Sequence, residues 1–181
     1  MKNLFSAAVA ALVLSVPAIA LASYADDRAE IENLSNRYMV AVDAGDIETV
    51  MSTWAEDGVL ESVFGTQHGK AEIRKSMSAF GGGRAVTIPE GATSRPRTHH
   101  QIINHVIDVD GNSAKTIAYW FAMTNATPQK DVQLLYFGHY EDQLVKVNGK
   151  WLFKSRKVFN ESLANRAVFY PGLNEKDPRR K

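Results

Sequence analysis

Three of the five histidines in the sequence lie within the stretch THHQIINHVIDVD, residues 98–110. A histidine with an ordinary pKa of about 6.5 can gain or lose a proton at neutral pH, and its neutral form can bind metals, so either chemistry is open to this cluster. Apolar and polar residues alternate here as they do in a β-strand. Alternation places His100 and Asn104 on one face of the strand and His99 and His105 on the other.

The spacing of these histidines argues against a metal site. His99 and His105 share a predicted face, but they would lie about 20 Å apart along an extended strand, which is too far for one ion. The sequence contains no His-Glu-x-x-His motif and no cysteine. We therefore predict no metal, and two interpretations remain for His100: a hydrogen-bonded strand residue or an acid–base catalyst. His105 is expected at the surface.

Three helices are expected ahead of the histidine strand. Residues 26–44 carry apolar side chains at helical spacing and acidic residues in the first turn, and Gly45 is a typical helix stop. A second helix is predicted over 46–57, with Asp46 as its N-cap, and a third over 70–80. Helices first and strands later predict an α+β domain in which the helices cover one face of a sheet.

Four strands joined by short turns follow the helices. Turn-forming sequences such as DGN and NGK separate the β-rich segments, so the strands are expected to form an antiparallel meander. These segments cover residues 98–110, 113–125, 131–147 and 150–160. Residues 81–97 are rich in glycine and proline and predict a surface loop that could cover a site.

Residues 1–22 have the features of a secretory signal peptide: one lysine, an apolar run and a final Ala-Leu-Ala. We therefore predict a periplasmic or secreted protein that has no membrane attachment after cleavage. The remaining chain is long enough for one domain, expected over 23–162, followed by a polar tail over 163–181. The chain carries 21 basic and 20 acidic residues, and this balance predicts no nucleic-acid partner.

Four segments together resemble one known family. They are RYMVAVDAGDIETVMSTWAEDGVLE, GKAEIRKSM, RTHHQIINHVIDVDGNSA and GHYEDQLVKVNGKWLFKSRKV, in this order and spacing. The arrangement resembles the SnoaL-like branch of the nuclear-transport-factor-2-like superfamily. The resemblance implies a cone-shaped, curved antiparallel β-sheet wrapped around three N-terminal helices and enclosing an apolar pocket. It also implies a homodimer or homotrimer formed through the outer face of the sheet.

The resemblance further implies a catalytic pair. Lyases of this superfamily are similar in using an aspartate after the first helix together with a strand histidine, and these residues match Asp43 and His100. Tyr38 matches a tyrosine of a bile-acid dehydratase in the superfamily. His99 would replace His100 if the strand register slipped by one residue. Spacing alone would favour a different interpretation of Asp43, as a solvated residue at the end of a helix.

Such a pair predicts a cofactor-independent lyase. A carboxylate on one imidazole nitrogen fixes the tautomer and stabilises the cation that forms when the other nitrogen takes a proton. The expected reaction is a dehydration, or a related elimination such as loss of formaldehyde, from a small hydrophobic, aromatic molecule. The alternatives are an isomerase of the ketosteroid-isomerase type and a non-catalytic module for small-molecule binding or dimerisation.

Further side chains are expected to contact the substrate. Aromatic residues on the strands favour an aromatic ligand because one face of the sheet must line any pocket, although alternation does not identify that face. Hydrogen-bond donors beside a leaving group would stabilise its developing negative charge. Core packing is the default interpretation of Tyr38 and Trp54, and solvation is the favoured one of Arg97. The predicted substrate contacts are Trp54, His99, Asn104, Tyr119, Tyr136 and Arg97.

Overall fold

A computed structural model of the chain describes residues 23–82, 97–127 and 131–163. The predicted signal peptide lies outside these ranges, as do most of the predicted loop over 81–97 and most of the predicted tail over 163–181. No helix within the described ranges is long and apolar enough to cross a membrane.

Three helices form close to their predicted positions. They are α1 over Tyr24–Ala44, α2 over Ile47–Ser52 and α3 over Gly69–Gly82. A capping box between Ser23 and Asp26 begins α1, because each side chain accepts a hydrogen bond from the other residue's backbone. Gly45 ends the helix in the left-handed conformation, with φ 72°, which a residue with a Cβ atom rarely adopts.

The second helix is shorter than the predicted helix over 46–57. It ends before Thr53, and Trp54 begins the first strand, where it pairs with Phe153. The prediction that Trp54 lies in a helix is therefore wrong. Its side chain is completely buried, as core packing predicted. Pairing with a neighbouring strand outweighed the helical pattern of the sequence.

The strands form one curved, open six-stranded sheet in the order β2-β1-β6-β5-β4-β3. Their bounds are β1 Trp54–Ser62, β2 Gly65–His68, β3 Thr98–Asp110, β4 Ser113–Thr124, β5 Gln133–Val147 and β6 Lys150–Asn160. The predicted antiparallel meander from β3 to β6 is confirmed. The sheet is not antiparallel throughout, because β1 and β6 run parallel.

The core lies between the helices and the concave face of the sheet. Tyr38 of α1 packs edge-on against Trp54 and Phe153, with ring centroids 6.2 and 5.5 Å away. Ile31 on α1 and Ile73 on α3 are fully buried in the same cluster. Burial of these large apolar side chains stabilises the helices on the sheet and fixes their positions over it.

A β-bulge interrupts β3 between Ile103 and Val106. Asn104 has a φ of 52° at this point, so two consecutive residues lie opposite Ala118 of β4. The faces of the strand exchange after the bulge. His105 therefore joins His100 on the concave face, and the face assignment made from simple alternation is wrong beyond residue 103.

Candidate functional site

Asp43 and His100 form a doubly hydrogen-bonded pair between the end of α1 and the start of β3. The backbone N–H of His100 donates to Asp43 Oδ2 over 2.8 Å, and His100 Nδ1 lies 2.5 Å from Asp43 Oδ1. Their side chains are only 12% and 15% exposed, respectively. The carboxylate therefore fixes both the backbone and the ring of the histidine in a site largely removed from water.

The end of α1 determines where this carboxylate lies. Gly45 ends the helix two residues after Asp43, and α1 packs along β3 through Tyr24, whose hydroxyl donates to the Ile107 carbonyl over 3.1 Å. In the neutral imidazole, the contact with the carboxylate keeps the proton on Nδ1. The Nε2 lone pair of His100 is then available as a base.

An aromatic row continues from His100 across the concave face. The Trp120 ring centroid lies 6.1 Å from that of His100, and Tyr140 stacks on Trp120 at 5.7 Å and 19°. Burial raises the pKa of Tyr140 far above its ordinary value, and the positive charge of Arg156 opposes this effect only in part. The hydroxyl of Tyr140 therefore remains protonated and is a hydrogen-bond donor at neutral pH.

A buried ion pair lies next along this face. Arg156 of β6 donates from Nε to Asp142 Oδ1 over 2.8 Å and from Nη2 to Oδ2 over 2.7 Å. Thr116 donates a further hydrogen bond to the same carboxylate. Arg156 is 1% exposed. Such a fork-shaped pair fixes the guanidinium in one orientation.

Aromatic rings enclose the guanidinium of Arg156. Its central carbon lies 4.0 to 4.6 Å from the ring centroids of Phe153, Tyr140 and Tyr38. Burial alone would lower the pKa of Arg156, but the charge and hydrogen bonds of Asp142 raise the pKa above its usual value. The arginine is therefore a permanent cation whose charge is balanced within the core.

Several buried polar atoms on the inner surfaces have no hydrogen-bond partner among the described residues. They are Arg156 Nη1, His105 Nε2, Trp120 Nε1, Ser35 Oγ and Trp54 Nε1. An unpaired buried donor or acceptor costs about 1–3 kcal/mol, so each needs an explanation. Within the same ranges, no three histidine or carboxylate side chains are grouped as ligands for a metal ion.

The structure shows two predicted site residues, Tyr38 of α1 and Trp54 of β1, in contact with residues other than the pair. The hydroxyl of Tyr38 points to Met77, with 3.9 Å between the oxygen and the sulfur, and burial raises its pKa. Trp54 lines a cavity of about 970 Å³ together with Val109, Ala114 and Leu144. Neither Asp43 nor His100 lines that cavity.

The predicted strand contacts are divided between the two faces. Tyr136 lies on the concave face in the same rung as His100, since both residues pair with Ala122. His99 and Tyr119 lie on the outer face, and Asn104 is exposed at the bulge. Tyr119 and Asn104 therefore do not stand beside the pair as expected. Arg97 is exposed just before β3.

Sequence reasoning missed three residues of the concave face: Asp142, Arg156 and His105. Alternation along β5 places Asp142 on the same face as the buried Tyr140 and Leu144. A carboxylate at such an otherwise apolar position was a signal that the sequence offered. Alternation along β6 did not predict that Arg156 faces inward, because the register between β5 and β6 shifts near Leu144. His105 was expected at the surface, and the bulge turned its side chain inward.

Comparison with known proteins gives one family match. The profile of the SnoaL-like domain matches residues 23–157. No curated protein matches the chain in sequence.

Solved structures with the same fold are numerous, and three represent them. A protein of unknown function with a cystatin-like fold from Nostoc punctiforme is 26% identical, with a TM-score of 0.63 over 78% of this chain and 96% of that one. A candidate scytalone dehydratase from Novosphingobium aromaticivorans is 23% identical, with a TM-score of 0.59 over 74% and 83%. Aln2 from a Streptomyces species is 19% identical, with a TM-score of 0.65 over 81% and 98%. The predicted cone fold is confirmed.

Proposed function

Because the chain belongs to the SnoaL-like family, we propose that it is a cofactor-independent lyase that acts on a small hydrophobic, aromatic molecule. The reaction is a dehydration or a related elimination, carried out in the periplasm or outside the cell. The observation that carries the proposal is the contact of Asp43 with both the ring and the backbone of His100. The scytalone dehydratase name of one structural neighbour supports the same reaction class.

His100 is the proton-transfer residue in this mechanism. Its Nε2 takes a proton from a carbon next to a ketone or phenol of the substrate, and the C–H electrons form a carbon–carbon double bond while the C–O bond to the leaving hydroxyl breaks. The imidazolium then gives its proton to the departing oxygen, so that water leaves and His100 becomes neutral again. Asp43 holds the tautomer and stabilises the cation in between.

Tyr140 is the donor best placed to assist the leaving oxygen or the enolate. It stacks on Trp120, and the Trp120 ring lies next to that of His100, with 6.1 Å between the ring centroids. Tyr38, which the resemblance suggested for this role, directs its hydroxyl at Met77. Tyr136, in the rung of His100, is a second candidate contact for the substrate ring.

The isomerase alternative fits this geometry less well. It needs an aspartate that takes protons from the substrate. Both carboxylate oxygens of Asp43 already accept hydrogen bonds from His100, so the carboxylate is committed to orienting the histidine.

The first test follows dehydration of an aromatic β-hydroxy ketone, 3-hydroxy-1-tetralone, to 1-naphthol by fluorescence. We expect turnover by the mature protein, and a loss of about 100-fold or more in kcat/KM for Asp43→Asn and for His100→Gln. His99→Gln is the matched control because its side chain lies on the outer face, and it should retain activity.

A second test is independent of the substrate. Nitrogen-15 NMR of the imidazoles should show His100 as the Nδ1–H tautomer at pH 8, and Asp43→Asn should return it towards the mixture found in free histidine. If the tautomer is insensitive to Asp43 and none of these variants changes turnover, the lyase proposal is wrong. A non-catalytic binding module would then replace it.

A further inference from the structure

Trp120 contacts the imidazole of His100 from β4. The two ring centroids lie 6.1 Å apart and the ring planes are tilted by 47°, which is within the range of separations at which aromatic rings interact. Trp120 is 5% exposed, so its indole lies in the core. Asp43 reaches the same imidazole from the end of α1. The ring of His100 is therefore held by two separate elements of the fold.

Asp43 fixes one atom of the imidazole but not the plane of the ring. The contact between Asp43 Oδ1 and His100 Nδ1 is a single hydrogen bond, and the ring can tilt about the line that joins these two atoms. Proton transfer needs the other nitrogen, Nε2, to point at the reacting carbon, and a misplacement of about 1 Å can lower a rate by about 100-fold. A large ring packed against the imidazole restricts this tilt.

The indole of Trp120 is itself held in place. Tyr140 stacks on it, with 5.7 Å between the ring centroids and 19° between the planes. The guanidinium of Arg156 lies 4.3 Å from the ring centroid of Tyr140, and two hydrogen bonds to Asp142 fix that guanidinium. A continuous row of contacts thus leads from the buried ion pair to His100, which makes Trp120 a rigid support.

The ring nitrogen of Trp120 gives a second, independent observation. Nε1 is buried and has no hydrogen-bond partner among the described residues. An unpaired buried donor destabilises a fold, and a phenylalanine would fill part of the same space without this cost. Packing for stability alone therefore does not explain an indole at this position. An indole presents a larger flat surface to the imidazole than a phenyl ring does, as a positioning role requires.

We infer that Trp120 is a positioning residue that fixes the plane of the His100 imidazole and so directs Nε2 at the substrate. This inference rests on the proposed function for the reaction that His100 performs, but the contact between the rings can be tested without a substrate. Asp43 and Trp120 then have different roles. The carboxylate determines which nitrogen carries the proton, and the indole determines where the other nitrogen points.

Carbon-13 relaxation of the His100 ring tests the contact in the mature protein without ligand. In Trp120→Leu, the order parameter of the Cε1–H bond of His100 should fall from that of a rigid group, about 0.85, towards that of a flexible one, about 0.6. The Nδ1–H tautomer at pH 8 should persist, because Asp43 is unchanged.

Trp151→Leu is the matched control for this measurement. Trp151 is a second buried tryptophan of the sheet, and it donates to Asp27 in the first turn of α1, at the other end of the helix from Asp43. Its loss should destabilise the fold but leave the order parameter of His100 unchanged. An unchanged order parameter in Trp120→Leu, or an equal fall in both variants, would overturn the inference.

Turnover of 3-hydroxy-1-tetralone provides a second measurement. Trp120→Leu should lower kcat by about 10-fold and change KM by less than about twofold, because proton transfer is misaligned while substrate binding is retained. Trp120→Phe keeps an aromatic ring and should recover part of the loss, and Trp151→Leu should keep the wild-type kcat. A raised KM at constant kcat would show that the indole binds substrate instead, and the positioning role would be rejected. Absence of turnover in the wild type would refute the proposed function, and the relaxation result would then decide this inference by itself.

Discussion

Asp142 and Arg156 depend on each other, because neither charge can reach water from its place in the core. Asp142→Asn leaves the guanidinium charged and only partly paired among three rings. We expect this variant to lose about 3–5 kcal/mol in its free energy of unfolding, measured by urea denaturation at pH 7.5. Glu48→Gln, in the exposed pair with Arg74, is the control and should lose less than about 1 kcal/mol. A loss that small in Asp142→Asn would contradict the structural role given to the pair.

His105 makes the stability of the fold depend on pH. Burial lowers its pKa in the folded state, and the opposing effect of Asp142 is smaller. The unfolded chain therefore binds a proton more readily, so stability falls as the pH drops below about 6.5 and stops falling below the lowered pKa. The other charged groups that act on the ring are Arg156, Glu32 and Arg28.

His105→Phe removes this titration. The difference in Tm between pH 7.5 and pH 5.5 should therefore be smaller in the variant than in the wild type. His99→Phe is the matched control, because the ring of His99 is exposed on the outer face, and it should keep the pH dependence of the wild type. Identical pH dependence in His105→Phe and the wild type would show that burial does not affect this histidine.

At the level of elements, the bulge in β3 decides which histidines face the interior. Asn104 has a positive φ of 52°, which asparagine and glycine tolerate and β-branched residues do not. We expect Asn104→Gly to fold normally and Asn104→Val to lose about 1–3 kcal/mol in urea unfolding. Deletion of Asn104 removes the extra residue and leaves His105 inward and Val106 outward, so the faces of β3 should not change. An Asn104→Val variant as stable as the wild type would contradict the strain at this position.

The same bulge shows what the sequence could and could not predict. Hydrophobic periodicity and turn signals were sufficient for α1, α3 and the meander, which follow from local patterns, but they made α2 too long because strand pairing begins at Trp54. The contact between Asp43 and His100 joins residues far apart in the chain, and only the resemblance to a family suggested it. Asn104 and the register shift beside Leu144 break alternation, so the inward placement of His105 and Arg156 depended on pairing that no local pattern records.

At the level of the whole molecule, the outer face of the sheet carries exposed apolar side chains. Ile103, Met123, Leu134 and Phe137 are each at least 36% exposed, and they lie on neighbouring strands β3, β4 and β5. A contiguous apolar surface of this kind favours association with another protein surface. On this face, Ile103 of β3 pairs with Tyr119 of β4, and Phe121 of β4 pairs with Phe137 of β5.

We propose a homodimer or homotrimer that buries this face, since a symmetric contact lets the same patch cover itself. Light scattering coupled to size exclusion should give the mass of two or three subunits for the mature protein. Phe137→Glu places a charge where Phe137 is 47% exposed and should shift the mass to that of a monomer. Val40→Glu is the control, because Val40 is 70% exposed on α1, away from the sheet's outer face, and assembly should not change. A monomeric wild type would exclude this interface. Concentration-dependent dissociation of Phe137→Glu alone would locate the contact on the outer face, opposite the concave face on which His100 lies.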